Sequence, residues 1–150
     1  MRVFPRLSDL AAEQGQLLGT SSWLEMTQSR IDLFADATGD HQWIHTDPQR
    51  TQVELDQSTI AHGYLTLSLI PHFMNEIMRV ESATHIINYG ADRIRFLNIV
   101  LVDARLRGAL TLQRADLNNG CLRTTCEIAV EIEGAAKPAL VAEVIMLFYE

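Results

Sequence analysis

The sequence lacks the features that mark several large classes of protein. No apolar run approaches the roughly 18 residues of a membrane-spanning helix, and the first residues have no long apolar stretch typical of a signal peptide. Among 150 residues there are two cysteines, Cys121 and Cys126, in one predicted strand, so we expect no disulfide framework and a cytoplasmic location. Linkers and internal repeats are absent too, which predicts a single domain over residues 1–150.

Basic residues are also scarce and unevenly distributed. Twelve Lys and Arg stand against 19 Asp and Glu, giving a net charge of −7, which argues against nucleic acid or a membrane surface as partner. Residues 91–125 nevertheless contain six arginines and three acidic residues, whereas the segments on either side are acidic. This positive stretch either faces an anionic ligand or consists of solvated strand faces.

Apolar residues recur at helical spacing before about residue 84. The segment Thr27–Gly39 predicts a helix that Thr27 caps and Gly39 ends. A second helix is predicted from Gly63 to about Val80. Its apolar stripe is wide enough to indicate a buried, central position, and Pro71 predicts a kink or break within it.

After residue 84 the apolar residues alternate with polar ones. Extended segments are predicted at 84–88, 91–100, 103–117 and 122–132 and in the last residues up to Tyr149, and Asn118-Asn119-Gly120 predicts a tight hairpin turn. Strands of about 10–14 residues favour a sheet that curls. The sequence therefore predicts an α+β fold in which a curved antiparallel sheet wraps one long helix.

Ionisable residues concentrate between Gly39 and Pro48. Asp40 and His45 are five residues apart, and a loop after Gly39 could bring them together as a general acid–base pair. Alternatively, Asp40 bonds only loop amides and His45 is a structural histidine. His41 and His45 have the i,i+4 spacing of metal ligands, but no further ligand pattern accompanies them, so we expect no metal site.

A second segment, Ile60-Ala-His-Gly63, comes directly before the predicted central helix. Amides at a helix N-terminus point outward with partial positive charge, and glycine allows a ligand to approach the backbone closely. The Gly63 N–H could therefore stabilise a developing oxyanion. Equally, a glycine can open a helix without binding anything, and His62 can simply anchor the loop.

Together the two segments resemble the MaoC-like dehydratase family. The resemblance rests on Phe34-Ala-x-x-Thr-Gly-Asp-x-x-x-x-His45-x-Asp47, then Ile60-Ala-His-Gly63, then Ser68-Leu-x-Pro71. The chain is most similar to the nodulation protein N-like branch, on the Gln-Trp-Ile-His run at 42–45 and on Asn88–Phe96. The likeness extends over about residues 17–149, with a departure at 97–103, where the family more often has Pro and Gly.

The resemblance implies a hot-dog fold, a homodimer, and an (R)-specific enoyl-CoA hydratase/dehydratase that adds water to trans-2-enoyl-CoA to give (R)-3-hydroxyacyl-CoA. The coenzyme A thioester is the substrate, and no metal or organic cofactor is required. His45 would activate the water, Asp40 would orient it, and the Gly63 N–H would bind the thioester oxygen. Substrate contacts are expected at five residues: Ala61, His62, Tyr64, Arg93 and Arg95.

Two other functions remain open on the same resemblance. The hot-dog fold also carries acyl-CoA thioesterases, which cleave the thioester without hydrating a double bond, and fold alone does not separate the two activities. A third function is non-catalytic binding of acyl thioesters by a protein whose motif no longer turns over substrate.

Overall fold

An antiparallel sheet dominates the computed structural model, which describes all residues, 1–150. The larger sheet has the strand order β2-β6-β7-β8-β5, with β3 also paired to β6, and β1 and β4 form a separate parallel pair. The strands are β1 Arg2–Phe4, β2 Leu17–Thr20, β3 Leu24–Glu25, β4 Met78–Val80, β5 His85–Phe96, β6 Arg105–Asn118, β7 Cys121–Ile132 and β8 Leu140–Tyr149.

Six helices connect or cover these strands, and none combines the length and apolarity needed to cross a membrane. They are α1 Leu7–Ala11, α2 Gln28–Thr38, α3 Trp43–Thr46, α4 Pro48–Leu55, α5 Gly63–Ser68 and α6 Ile70–Ile77. The predicted limits of α2 are confirmed. The Thr27 hydroxyl accepts a hydrogen bond from the Arg30 N–H, and Gly39 ends the helix in the left-handed region at φ 75°.

The central helix is confirmed, but it is divided and shorter than predicted. It breaks at Leu69, two residues before Pro71, since proline lacks an N–H and clashes with the carbonyl four residues back. The prediction that it continues to about Val80 is wrong. Met78 is extended, at φ −146°, because Met78–Val80 pairs with Arg2–Phe4 as a strand.

The sheet and the central helices enclose one apolar core of 29 buried residues. In β6, β7 and β8 the buried side chains alternate along the strand, which places one face of each strand against the helices. Phe73 of α6 is completely buried in this core. The predicted α+β arrangement, an antiparallel sheet packed on a central helix, is therefore confirmed.

The two extended segments predicted at 84–88 and 91–100 are in fact one strand. Pairing between β5 and β8 continues across register shifts at Asn88/Gly90 and Asp92/Arg95, where bulges accommodate the extra residues. Residues 97–100 lie outside the strand. The predicted hairpin turn is confirmed, with Asn119 and Gly120 both left-handed, as a tight turn between twisted strands requires.

Gly108 on β6 lets the helix approach the sheet closely. A Cβ atom at this position would lie 2.7 Å from Phe73 Cβ and 3.3 Å from Ile128 Cδ1. We therefore expect Gly108→Ala to lower the free energy of unfolding in urea by about 1–3 kcal/mol, the usual cost of overpacking. Gly90→Ala is the control, because nothing lies within 4 Å of its added Cβ. Equal stability of the two variants would contradict close packing at Gly108.

Candidate active site

The structure brings together three side chains from two segments of the chain: Asp40 and His45 from one, and His62 from the other. One carboxylate oxygen of Asp40 and one ring nitrogen from each histidine lie within 4.8 Å of one another. Asp40 follows the glycine that ends α2, and His45 lies on the short helix α3. His62 directly precedes α5. The prediction that a loop after Gly39 could bring Asp40 and His45 together is thus met, although His45 itself lies on the short helix α3.

His45 is held in one tautomer by the backbone. Its Nδ1 lies 2.7 Å from the carbonyl oxygen of Ile60, and since a carbonyl can only accept, Nδ1 carries the proton. The lone pair of a neutral His45 is therefore on Nε2, as a general base requires. Sequence reasoning missed Ile60, because nothing in the sequence indicates which backbone carbonyl a distant histidine will meet.

His45 is 7% exposed, and its burial lowers the pKa of the imidazole below the ordinary value of 6.5. The hydrogen bond to Ile60 opposes this effect. Of the two ionisable neighbours, His62 lowers the pKa and Asp40 raises it. The net direction is downward, so the His45 imidazole is neutral at pH 7 and has a nitrogen free to accept a proton.

His62 supports both Asp40 and His45. Its Nε2 donates to the backbone carbonyl of Asp40 at 2.9 Å and lies 3.9 Å from the Asp40 Oδ2. Its ring stacks on that of His45, with centroids 3.7 Å apart and planes tilted by 26°. Phe34 packs nearby, at 5.1 Å between centroids. His62 is 3% exposed and its Nδ1 has no hydrogen-bond partner, so it is a buried part of the site framework.

The amide of Gly63 opens helix α5 and so has no acceptor within that helix. The ring of Phe96 lies over this position, 3.1 Å from where a Cβ would be, so a side chain here would crowd the ring and glycine allows the close approach. Phe96 is 48% exposed and contacts the more exposed Tyr64 edge-on, at 6.0 Å between ring centroids. An apolar rim therefore flanks the helix N-terminus. Sequence reasoning did not identify Phe96 as part of it.

The other predicted substrate contacts differ in their availability. Ala61 is 7% exposed, and its N–H already donates to the Val100 carbonyl at 2.8 Å. Arg93 forms an ion pair with Glu143 at 2.6 Å. Arg95, next to Phe96, is exposed, donates to the Ile94 carbonyl, and has no carboxylate within 4.0 Å.

Most of the positive stretch at 91–125 is neutralised by acidic residues. Besides Arg93, three of its arginines have carboxylate partners at 2.6 to 2.9 Å: Arg105 with Glu133, Arg107 with Glu131, and Arg114 with Asp116. Arg95 and Arg123 have none within 4.0 Å. The uneven charge of the sequence thus reflects cross-strand ion pairs more than an open basic surface.

A long groove lies between the central helix and the edge strand. A cavity of about 830 Å³ is bounded by α6, β4 and β5, and a second of about 390 Å³ extends it toward α5. The two share Pro71, Asn88 and Met146. Leu67 and Ser68 of α5 line the smaller cavity, and neither cavity is lined by Asp40, His45 or His62. The groove is mostly apolar, with Met74, Met78 and Phe148 on its walls.

Asp40, His45 and His62 also form the only group of at least three His, Cys, Asp or Glu residues close enough to hold a metal ion. The two imidazoles are stacked, however, so their in-plane lone pairs run nearly side by side and do not converge on a point. His62 Nε2 is already bonded to the Asp40 carbonyl. The arrangement suits proton transfer better than tetrahedral coordination.

Comparison with known proteins identifies the family. The family model described as a MaoC like domain matches residues 9–134. The 3-hydroxyacyl-thioester dehydratase Z of Mycobacterium tuberculosis (strain ATCC 25618 / H37Rv) is 45% identical over 149 residues, covering 99% of both chains. Nodulation protein N of Rhizobium leguminosarum bv. viciae is 44% identical over 139 residues, covering 91% of this chain and 86% of that protein.

Solved structures show the same fold. R-hydratase PhaJ1 from Pseudomonas aeruginosa matches with a TM-score of 0.74 at 21% identity, covering 97% of this chain and 86% of that one. The (R)-hydratase from A. caviae matches with a TM-score of 0.72 at 18% identity, covering 89% and 95%. The architecture is therefore the hot-dog fold. The chain belongs to the MaoC-like dehydratase family, and it is an enzyme of the hydro-lyase class.

The lowered pKa of His45 predicts how this residue responds to pH. Its imidazole signals in an NMR titration should have a midpoint below pH 6.5. As the pH falls below 6.5, the unfolded chain binds a proton at this residue before the folded chain does, so folding stability is lost. His45→Gln should remove this part of the acid sensitivity. A midpoint above 6.5 would show that Asp40 and the Ile60 carbonyl outweigh burial.

Proposed function

We propose that this protein is an (R)-specific enoyl-CoA hydratase/dehydratase, which adds water reversibly to trans-2-enoyl-CoA to give (R)-3-hydroxyacyl-CoA. The observation that carries the proposal is the convergence of Asp40 with a His45 whose Nε2 is the basic nitrogen. The helix-opening amide of Gly63 follows His62 directly in the chain. The names of the similar proteins, a 3-hydroxyacyl-thioester dehydratase and two (R)-hydratases, support the same chemistry.

In the proposed mechanism, one water lies between the Asp40 carboxylate and His45 Nε2. His45 takes a proton from this water as its oxygen bonds to C3, and the electrons of the double bond move toward the thioester carbonyl. The Gly63 N–H stabilises the enolate oxygen. The proton that His45 took then passes to C2 on the same face, guided by the Asp40 carboxylate, so that the H and OH of one water are added syn and His45 is neutral again.

These residues supply a base, a proton relay and an oxyanion donor. General acid–base catalysis and electrostatic stabilisation of an oxyanion each contribute orders of magnitude in rate. Adding water to a double bond is not a redox reaction, so it consumes no oxidant or reductant. We therefore propose that the protein needs neither a metal nor an organic cofactor, with the coenzyme A thioester as its substrate.

Substrate recognition is proposed to involve the rim around Gly63 and the groove between the central helix and β5. Tyr64 is exposed at the rim, and the unpaired, exposed Arg95 is better available to a coenzyme A phosphate than Arg93, which Glu143 already neutralises. Ala61 and His62 would shape the pocket from within, because both are buried. The apolar groove of about 830 Å³ would receive the acyl chain.

This function is tested by following the decrease in the enoyl absorbance of crotonyl-CoA and by determining the configuration of the product by chiral analysis. We expect (R)-3-hydroxybutyryl-CoA from the wild type. Asp40→Asn and His45→Gln should each lower kcat by about 100- to 10,000-fold, since each removes a group that handles a proton. His41→Gln is the matched control in the same segment, where His41 is exposed and faces Asp36 at 3.7 Å.

The same assay separates the alternatives. Release of free coenzyme A thiol from saturated acyl-CoA without hydration would identify a thioesterase. Tight binding of enoyl-CoA without turnover at any chain length would identify a binding protein. An (S)-product, or full activity in His45→Gln, would contradict the mechanism proposed for Asp40 and His45.

We also propose that the protein is a homodimer located in the cytoplasm. Strand β5 ends the larger sheet, so one side of its backbone has no strand partner, and none of its residues is buried. Ile87 is 44% exposed and Tyr89 is 62% exposed on this edge. A second copy pairing through β5 would cover this surface. The two cysteines are free, in keeping with a reducing compartment.

Sedimentation equilibrium tests the assembly. The wild type should have about twice the chain mass of 16.9 kDa, and Ile87→Lys should shift it toward the monomer by placing charge on the edge strand. Val53→Lys, on α4 and 84% exposed, should leave the dimer intact. A monomeric wild type at micromolar concentration would refute the proposed assembly.

A further inference from the structure

The side-chain amide of Gln28 links three segments of the chain around the catalytic base. Its Nε2 donates to the His45 backbone carbonyl at 2.8 Å and to Asp32 Oδ1 at 2.8 Å. Its Oε1 accepts from the hydroxyl of Thr59. Both hydrogens and the oxygen of the amide are therefore engaged, and these partners fix its orientation, since the nitrogen can only donate and the hydroxyl must find an acceptor.

Helix α3, which carries His45, cannot hold its own position. It contains four residues, Trp43–Thr46, and so short a helix has almost no intrinsic stability. Its final carbonyls also lack partners within the helix. The amide of Gln28 donates to one of these carbonyls, that of His45. The bond is therefore made at the backbone of the proposed general base.

The other end of the amide reaches the segment that fixes the imidazole. Thr59 is 1% exposed and directly precedes Ile60, whose carbonyl accepts from His45 Nδ1. The Thr59 carbonyl in turn accepts from the Val102 N–H at 2.8 Å. Gln28 thus links the main chain of His45 to Thr59. Thr59 is the neighbour of Ile60, whose carbonyl sets the tautomer of His45.

We propose that Gln28 is a positioning residue for the general base: its amide, by joining the His45 carbonyl to Thr59, keeps His45 aligned with the Ile60 carbonyl and its Nε2 aimed at the substrate water. The inference rests on the proposed function, because it assigns a task to His45 as base. Gln28 itself is not placed against substrate. It acts through the geometry of His45.

The first test compares Gln28→Met with Gln52→Met. Methionine keeps the length of the side chain and removes the amide. Gln52 has the same i,i+4 hydrogen bond to an aspartate, Asp56 at 3.2 Å, but it is exposed on α4, so its variant controls for loss of a local helix bond. We expect Gln28→Met to lower kcat by about 10- to 100-fold with KM changed less than about threefold, since misplacing a catalytic group costs rate. Gln52→Met should stay within about twofold of wild type.

Three further variants separate the bonds of Gln28. Asp32→Ala removes only the local partner and should keep wild-type kcat. Thr59→Ser keeps the hydroxyl and should also keep it, whereas Thr59→Val removes the bond and should follow Gln28→Met. If Gln28→Met does not fold, Thr59→Val tests the proposal in its place. It breaks the link between Gln28 and Thr59 but leaves Gln28 and its bond to the His45 carbonyl unchanged.

A second readout does not depend on activity. Imidazole ¹H–¹⁵N spectra, with His45 assigned by its absence in His45→Gln, report which ring nitrogen carries the proton. The wild type should show the Nδ1–H form, and Gln28→Met should show a mixture. Folded Gln28→Met with wild-type kcat and tautomer would overturn the proposal. So would activity lost only in proportion to the unfolded fraction, with His45 signals unchanged. A wild type inactive on every enoyl-CoA would refute the proposed function, while the spectra would still test Gln28.

Discussion

The cluster of Asp40, His45 and His62 depends on the backbone pairing between the segment that carries His45 and the segment that leads into α5. A single residue, Ile60, supplies both bonds: its N–H donates to the Ile44 carbonyl at 3.0 Å, and its carbonyl accepts from His45 Nδ1 at 2.7 Å. The next residue, Ala61, donates to Val100 at 2.8 Å, which attaches the pair to the core. Position and tautomer of the base are therefore set together, by groups that cannot rotate away.

The environments of the Asp40 and His45 side chains differ, and the difference suits their proposed tasks. His45 is 7% exposed and neutral at pH 7, because burial disfavours its charged form. The side chain of Asp40 is 56% exposed, so it can hold a water while its backbone is fixed by His62. Two proton-handling groups placed in unlike surroundings are a recurrent solution for acid–base chemistry at neutral pH.

Much of the fold could be predicted from periodicity and turn chemistry. The limits of α2, the hairpin at Asn119-Gly120, the antiparallel sheet and the buried central helix all follow from local pattern. The errors occurred where a distant partner decides the outcome. Residues 78–80 leave the helix because the N-terminal strand pairs with them, and β5 continues through two register shifts because β8 lies beside it. The local pattern of apolar and polar residues contains no information about which distant strand will pair with a segment.

The same distinction between local pattern and distant partners applies to the candidate site. The residues that could do the chemistry were readable from the order of amino acids, since the side chains of Asp40 and His45 and the absence of one at Gly63 are local properties. The folded arrangement was needed to show that His62 stacks on His45, that the Ile60 carbonyl sets the tautomer of His45, and that Gln28 bonds the short helix carrying it. It also paired four arginines of the positive stretch with carboxylates, three of them on the neighbouring strand or in the turn that follows it. Hydrogen bonds and ion pairs act over a few ångströms, and folding alone brings residues far apart in the chain to that distance.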